Sequence, residues 1–278
     1  MWINSEAVMV TGKNNPKPVN TESCPRPDGF FSVSPAPYIE TSDGSLTLMS
    51  SCGETYHSTG GAVEESQHVY IESGLRYYLE EREKAGLVPA VVHIFELGLG
   101  TGLNALLTYR EMFREKFPAS VHIFYSAVEM NPLEAVIWEK LDYARSEKEN
   151  DFFRKMHMGP WNEPFVPAPG FTLIKLKKNY LNLIINDLID VVYYDAFSPA
   201  VQPELWTSAA LGQLLPALTA NGILTTYSCK GSFKQVLRDW GFSLQKLPGT
   251  GKKRHILRAV YGSHNSLITG VSNASMSK

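Results

Sequence analysis

The sequence is poor in cysteine, with three in 278 residues at Cys24, Cys52 and Cys229. Odd in number and far apart, they support neither a disulfide framework nor a paired-cysteine zinc site, so free thiols and no metal are expected. Long apolar runs are also missing: the run around 91–99 falls well short of the roughly 20 residues that cross a bilayer. The N-terminus carries no basic region followed by an apolar segment, and a soluble, cytoplasmic chain is expected. There is no internal repeat at periods of about 20 to 50 residues, which excludes a solenoid or propeller. Nor is there a strong charge imbalance: 26 basic against 28 acidic residues leave −2. A nucleic-acid partner would therefore have to meet a local patch. What the chain does have is 44% apolar and 11% aromatic residues, enough for the core of one large domain with a small addition.

Residues 1–36 are dominated by Asn, Pro, Ser and Thr, and 263–278 are similarly polar. A disordered N-terminal segment and a flexible tail are expected there. YIETSDGSLTLMS (38–50) alternates apolar and polar residues around Asp43-Gly44, predicting a hairpin. Ile71, Leu75, Tyr78 and Leu79 repeat at helical spacing, predicting a helix over 65–82. Together these make a small β-rich and helical addition, 37–88, before a main domain at 89–262.

In the main domain strands alternate with helices. VVHIFEL (91–97), HIFYSAVE (122–129), FTLIKL (171–176), VVYYD (191–195) and GILTTYS (222–228) read as buried strands. Leu103, Leu106, Leu107, Phe113 and Phe117 mark one face of a helix after the first strand. Asn131-Pro132 predicts a capped helix carrying Leu133, Val136, Ile137 and Leu141. Further helices are expected over about 203–218 and 231–240, and FSLQKL with RHILRAVY as a closing hairpin. This alternation predicts an α/β fold, a Rossmann-like parallel sheet with helices on both faces.

In such a sheet a ligand binds beyond the carboxyl ends of the strands, where the first strand turns into its helix. ELGLGTGLN (96–104) lies there. Gly98, Gly100 and Gly102 let the backbone turn without side chains in the way, and the helix N-terminus offers free N–H groups. Thr101 and Asn104 can add side-chain hydrogen bonds. A ligand-free tight turn is the alternative. The dinucleotide pattern GxGxxG would need a small residue where Leu103 stands, whereas ExGxGxG fits S-adenosyl-L-methionine. Glu96 can then address the cationic amino-acid end of that cofactor, and Glu129, closing the second strand, can accept from both ribose hydroxyls. Each glutamate alone could equally be an ordinary solvated carboxylate.

The catalytic candidate is Asp195, at the end of the fourth strand in VVYYDAFSPAVQPELWT, with Phe197 and Pro199 just after it. A carboxylate there can hold or remove an amine proton, and a ring can stack on a base, a contact worth about 1–3 kcal/mol. Methyl transfer from a sulfonium then needs little beyond positioning. A helix cap is the alternative role for Asp195.

ELGLGTGLN, YYDAFSPAVQPELWT and GTGKKRHILRA together resemble the methyltransferase domain of the bacterial bifunctional MnmC enzymes and their stand-alone MnmD form, over about 38–261. The resemblance implies a class I S-adenosylmethionine-dependent methyltransferase fold. It implies an activity that methylates the amine of 5-aminomethyl-2-thiouridine at the tRNA wobble position. Bifunctional members carry a flavin-dependent oxidase for which this chain has no length, so another enzyme is expected to supply the aminomethyl substrate. Carried over by position, Glu96, Gly98, Gly100, Gly102, Asn104 and Glu129 become cofactor residues and Asp195 faces the substrate amine. KLKKN puts Asn179 where many members have an aspartate near adenine; an amide still offers the base a donor and an acceptor. Tyr56 and His57, in a segment resembling that before the core of stand-alone members, are expected at the substrate mouth.

A tRNA partner needs a basic surface, and 228–258 hold eight basic residues against one acidic. Lys252, Lys253 and Arg254 lie between glycines and a strand, placed to hold phosphates. A merely solvated face is the bland alternative. Two other functions remain open: transfer to a small amine, as in aminopropyl transferases, and a non-catalytic RNA-binding role. The basic segment argues against the first, and intact glycines with Asp195 against the second.

Overall fold

The structure, a computed structural model, describes residues 38–251 and 254–262. It opens with β1 (Tyr38–Glu40) and β2 (Leu46–Leu48), paired antiparallel through a turn in which Gly44 is left-handed. A continuous helix follows: α1 (Ala62–Ser66), a π-wound segment Gln67–Arg76, and α2 (Tyr77–Lys84). Then come β3 (Val91–Leu97), α3 (Leu103–Glu111), β4 (His122–Glu129), α4 (Ala135–Trp138) and α5 (Glu147–Met158). The chain continues with β5 (Pro164–Ala168), β6 (Phe171–Lys177), β7 (Ile189–Tyr194), α6 (Ser208–Gly212) and β8 (Leu218–Thr226). It closes with α7 (Gly231–Asp239), β9 (Phe242–Pro248) and β10 (His255–Tyr261).

The main sheet has eight strands in the order β5-β6-β4-β3-β7-β8-β10-β9. The five expected strands, β3, β4, β6, β7 and β8, are parallel neighbours, and β10 and β9 add antiparallel at one edge. Chain order reverses between β3 and β7, so their carboxyl ends flank the crevice where ligands of such sheets bind. The sheet is buried on both faces, as near-continuous apolar strands require. One face packs Ile71, Leu106 and Phe152 into a core that also includes Leu48 of the hairpin. The other packs Phe95, Trp206, Leu211 and Phe233. No helix of the described residues is long and apolar enough to cross a membrane.

Several expectations needed correction. The helix after β3 ends at Glu111, and Phe113 is exposed rather than part of its buried face. The helix expected from Asn131-Pro132 shrinks to the single turn α4, which starts only after Glu134, where the backbone is still extended, and then tightens into i→i+3 bonds from the Lys140 and Leu141 N–H groups. The helix expected over 203–218 is three short turns, Pro203–Trp206, Ser208–Gly212 and Leu215–Ala217, broken first at Thr207, whose backbone is extended and whose side chain accepts from the Ala210 N–H to start a new turn. Cys52 is disulfide-bonded, against the expectation of free thiols, since sequence spacing says nothing of which cysteines the fold brings together. Two elements were not anticipated: β5, antiparallel to β6, and α5.

α5 packs beside α3 and is fixed there by its cap, its apolar stripe and one ion pair. Ser146 caps its N-terminus by accepting from the Glu149 N–H, and Phe152, Phe153 and Met156 form its buried stripe. Phe152 stacks on Tyr109 of α3 at 4.2 Å. Glu149 accepts from Arg110 through both carboxylate oxygens, at 2.9 and 2.7 Å, and from the Arg145 N–H. Burial alone would raise its pKa, but these donors hold the carboxyl below its usual range. Glu149→Gln should lower unfolding free energy at pH 7 by about 1–3 kcal/mol. In chemical denaturation at stepped pH, the difference from the parent should shrink as pH falls below the usual carboxylate range. There the folded chain takes up the proton and loses the contribution.

Candidate active site

The glycine stretch forms the turn from β3 into α3. Gly100 and Gly102 have φ of 51° and 76°, left-handed conformations that oppose a Cβ. A Cβ on Gly98 would lie 3.0 Å from the Asp195 carbonyl oxygen, so β3 and β7 nearly touch at the crevice. A Cβ on Gly102 would come within 2.3 Å of Met156 Cε. α5 thus closes against the turn from outside.

Thr101, fully buried, is held from two sides. Its hydroxyl lies 2.6 Å from His57 Nε2, and its carbonyl accepts from His157 Nε2 at 3.1 Å. The hydroxyl is therefore engaged with the protein, and Thr101 serves to fix the turn. His157 stacks on Trp138 at 4.6 Å, and burial pushes its pKa down to about 3, so the ring is neutral. The carbonyl of His157 accepts from Lys175, whose buried ammonium sits over Trp161 and has its pKa lowered to about 8.

Inside the turn, four side chains form a chain of hydrogen bonds. Asn104 Nδ2 donates to Glu96 Oε1 at 2.8 Å and to Asp195 Oδ2 at 2.7 Å. The other oxygen of Asp195 accepts from the Tyr70 hydroxyl at 2.5 Å. Glu96 is wholly buried, and burial, reinforced by the charge of Asp195, pushes its pKa well up. Burial and Asp195 likewise push Tyr70 up, so the phenol keeps its proton. Among the described residues Asn104 Oδ1 is a buried acceptor without a hydrogen-bond partner, and Glu96 Oε2, also buried, has only the nearby Tyr125 hydroxyl to answer it.

Glu129 accepts from the Gly100 N–H at 3.0 Å and the Asn131 N–H at 2.8 Å, which fixes its carboxylate beside the turn. Tyr56 packs its ring against Gly100 and meets Phe197 edge-on at 5.1 Å, making an aromatic wall. The Phe197 backbone is held by Gln202 and Trp206, and the Ser198 N–H by Glu54; Pro199 follows, half-buried. Asn179 is exposed past β6, where its Oδ1 accepts from the Leu181 N–H and caps a short turn. Arg254 is exposed, and Lys252 and Lys253 lie outside the described residues. Of the other basic residues near it in sequence, Arg258 stacks on Tyr77 at 3.3 Å and bonds Gln245, so it serves packing.

The structure therefore brings Glu96, Gly98, Gly100, Gly102, Asn104, Glu129, Tyr56, Phe197 and Asp195 to one end of the sheet. Tyr70, His157, Met156 and Glu54 join them, though no sequence signal singled them out as site residues. Ser146 with Glu149 was a legible start signal for α5. Nothing in the spacing marked Tyr70, which stands beside the apolar stripe of its helix rather than in it.

A family model for S-adenosyl-L-methionine-dependent methyltransferases matches residues 173–262. The chain is 26% identical over 240 residues to the tRNA 5-methylaminomethyl-2-thiouridine biosynthesis bifunctional protein MnmC of Pseudomonas aeruginosa (strain UCBPP-PA14), a match covering 80% of this chain and 35% of that protein. Its identity to MnmC of Pseudomonas putida (strain W619) is 29% over 247 residues, 81% of this chain and 34% of that one. The solved structure of MNMC2 from Aquifex aeolicus superposes with a TM-score of 0.65 at 25% identity, over 80% of this chain and 68% of the other.

The chain is an S-adenosylmethionine-dependent methyltransferase related to MnmC. It spans about a third of the length of these MnmC relatives. The residues at the crevice fit the cofactor: Asn104 Oδ1, a buried acceptor unpartnered among the described residues, and the Glu96 carboxyl beside it suit an ammonium donor, the glycines leave room, and Glu129 has lone pairs remaining for hydroxyls. Gly102→Ala should weaken binding of S-adenosylhomocysteine about tenfold or more in calorimetry, because Met156 and His157 leave no room for a methyl. Gly44→Ala, equally left-handed but in open space, should cost about 1–2 kcal/mol of stability and leave that affinity unchanged.

Proposed function

We propose that this methyltransferase methylates the exocyclic amine of 5-aminomethyl-2-thiouridine at the wobble position of tRNA, giving 5-methylaminomethyl-2-thiouridine. The observation that carries this reading is the Asp195 carboxylate. It sits at the end of β7 beside the glycine turn, oriented by Tyr70 and Asn104 and close to the Tyr56–Phe197 wall. When bound, S-adenosyl-L-methionine supplies an electrophilic methyl group on sulfur. Asp195 would accept an N–H of the amine and point its lone pair at that methyl. Transfer of the methyl would leave the C–S electron pair on sulfur and a proton in excess on the amine, which the Asp195 carboxylate would accept and later release to water. Tyr56 and Phe197 would flank the base, with Pro199 shaping the loop that carries the ring. Glu96 and Asn104 would hold the amino-acid end of the cofactor, Glu129 its ribose, and Asn179, past β6, the adenine. The names of the MnmC relatives supply the tRNA part of the reading.

A polyanionic partner would be met by Lys230 and Lys234, at the start of α7 just past β8, and by the loop carrying Lys252, Lys253 and Arg254. Gly251, which precedes Lys252 and Lys253 in sequence, meets the backbone of Gly60, in the segment that also carries Tyr56 and His57. The substrate must already carry a free aminomethyl group, so an enzyme exposing that amine acts first. One observation favours a second reading: Glu54 adds a carboxylate to this end of the sheet, a feature that suits a small diamine.

Labelled methyl transfer to tRNA bearing the unmethylated aminomethyl uridine, with free diamines as parallel acceptors, tests the assignment. Label in 5-methylaminomethyl-2-thiouridine is expected, and label only in the diamine would replace the tRNA reading. Asp195→Asn should reduce turnover by about 100-fold or more, with cofactor affinity within twofold of the parent. Replacing Lys230, Lys234 and Arg254 by Ala should weaken tRNA binding and reduce the log–log salt slope by about one per lost phosphate contact, measured by filter binding across salt.

A further inference from the structure

We infer that Tyr70, carried by the π-wound segment of the N-terminal helix, is a positioning residue for methyl transfer that acts through Asp195, an inference that rests on the proposed role of Asp195 at the substrate amine.

The geometry is specific. Tyr70 is buried, and its hydroxyl reaches Asp195 across 125 positions of sequence to donate at 2.5 Å. Asn104 donates to the other oxygen of the same carboxylate. A carboxylate gripped through both oxygens cannot rotate, so the lone pairs left over point in set directions toward the crevice. Both donors are themselves immobile. The Tyr70 ring packs against Tyr193 at 5.3 Å, and Asn104 is tied to Glu96.

The helix explains how the hydroxyl arrives there. The apolar stripe of Ile71, Leu75, Tyr78 and Leu79 turns toward the sheet, and on a narrow α-helical stripe Tyr70 would lie to its side. Over Gln67–Arg76 the winding is wider, and burial extends to the consecutive triplets Val69, Tyr70, Ile71 and Ser73, Gly74, Leu75. π-winding is rare and concentrates at functional sites. Gly74 lets the helix come close: a Cβ there would stand 3.2 Å from Thr225 Oγ1 and 3.3 Å from the Tyr193 ring. The segment lies against β7 and β8, with Tyr70 at the strand end where Asp195 follows Tyr194. Apolar packing alone would be met by phenylalanine; the hydroxyl is what makes the contact.

Titratable groups facing Asp195 come from every neighbouring element. They are Tyr70 from the helix, Glu96 of β3 through Asn104, Tyr125 of β4 and Tyr227 just past β8. Tyr70 donates directly to the carboxylate. Tyr227 donates to the Ala196 carbonyl.

The test is a double-mutant cycle on the full chain with tRNA bearing the aminomethyl uridine. Tyr70→Phe should lower kcat about 10- to 100-fold, with KM for tRNA and affinity for S-adenosylhomocysteine within twofold. The acid limb of its kcat–pH profile should move to higher pH, because a carboxylate that loses a donor takes up a proton more readily. In the Asp195→Asn background, Tyr70→Phe should cost no further activity, since the residue through which it acts is already altered. An equal loss in both backgrounds overturns the inference and leaves the reading of Asp195 standing. Parent-like turnover of Asp195→Asn overturns both. A readout without any acceptor is the Tyr70 ring resonance in carbon-13-labelled protein. The Asp195 charge adds to burial in keeping the phenol protonated, so ionisation should move to lower pH in Asp195→Asn. An unmoved resonance and titration would overturn the contact.

Discussion

One amide nitrogen holds this active site together. Asn104 Nδ2 donates to Glu96 at the end of β3 and to Asp195 just past β7, and thereby spans the crevice where strand order reverses. Two carboxyl groups so close, one wholly buried and one half-buried, repel one another when both are charged, and the shared donor offsets that repulsion. It also links the two halves of the chemistry. In the proposed reading Glu96 stands on the cofactor side and Asp195 faces the amine, and Tyr70 closes the chain from the N-terminal helix.

The glycine turn depends on a second set of contacts arranged around its middle residue. His57 meets the Thr101 side chain and His157 its carbonyl, while Met156 fills the space that a side chain at 102 would need. These partners come from opposite sides of the turn in sequence, one from the segment after the hairpin and one from α5. The N-terminal addition therefore contributes to the turn (His57), the aromatic wall (Tyr56) and the grip on Asp195 (Tyr70), and its Leu48 lies in the same core as the sheet.

Much of this was legible because it is local. Each of the five parallel strands is a short apolar run bounded by turn residues, and ELGLGTGLN announces its turn through the glycines that a left-handed backbone favours. Asp195 was legible because a carboxylate directly after a buried strand must lie at the ligand-binding edge of such a sheet. The misread helices failed where a local signal was overridden: Asn131-Pro132 is a sound start signal, but the backbone stays extended to Glu134 and leaves room for one turn only.

The sequence by itself determined the alternating architecture, the position of the glycine turn and the carboxylates at the strand ends, because periodicity and turn chemistry act over a few residues. Only the tertiary structure decided how those carboxylates are held. Tyr70 and Asp195 are 125 positions apart, His57 and Thr101 44, and His157 and Thr101 56. Hydrogen bonds act over about 3 Å in space and leave no spacing in the chain, so partners brought together by the packing of a helix on a sheet become visible only when the chain is folded.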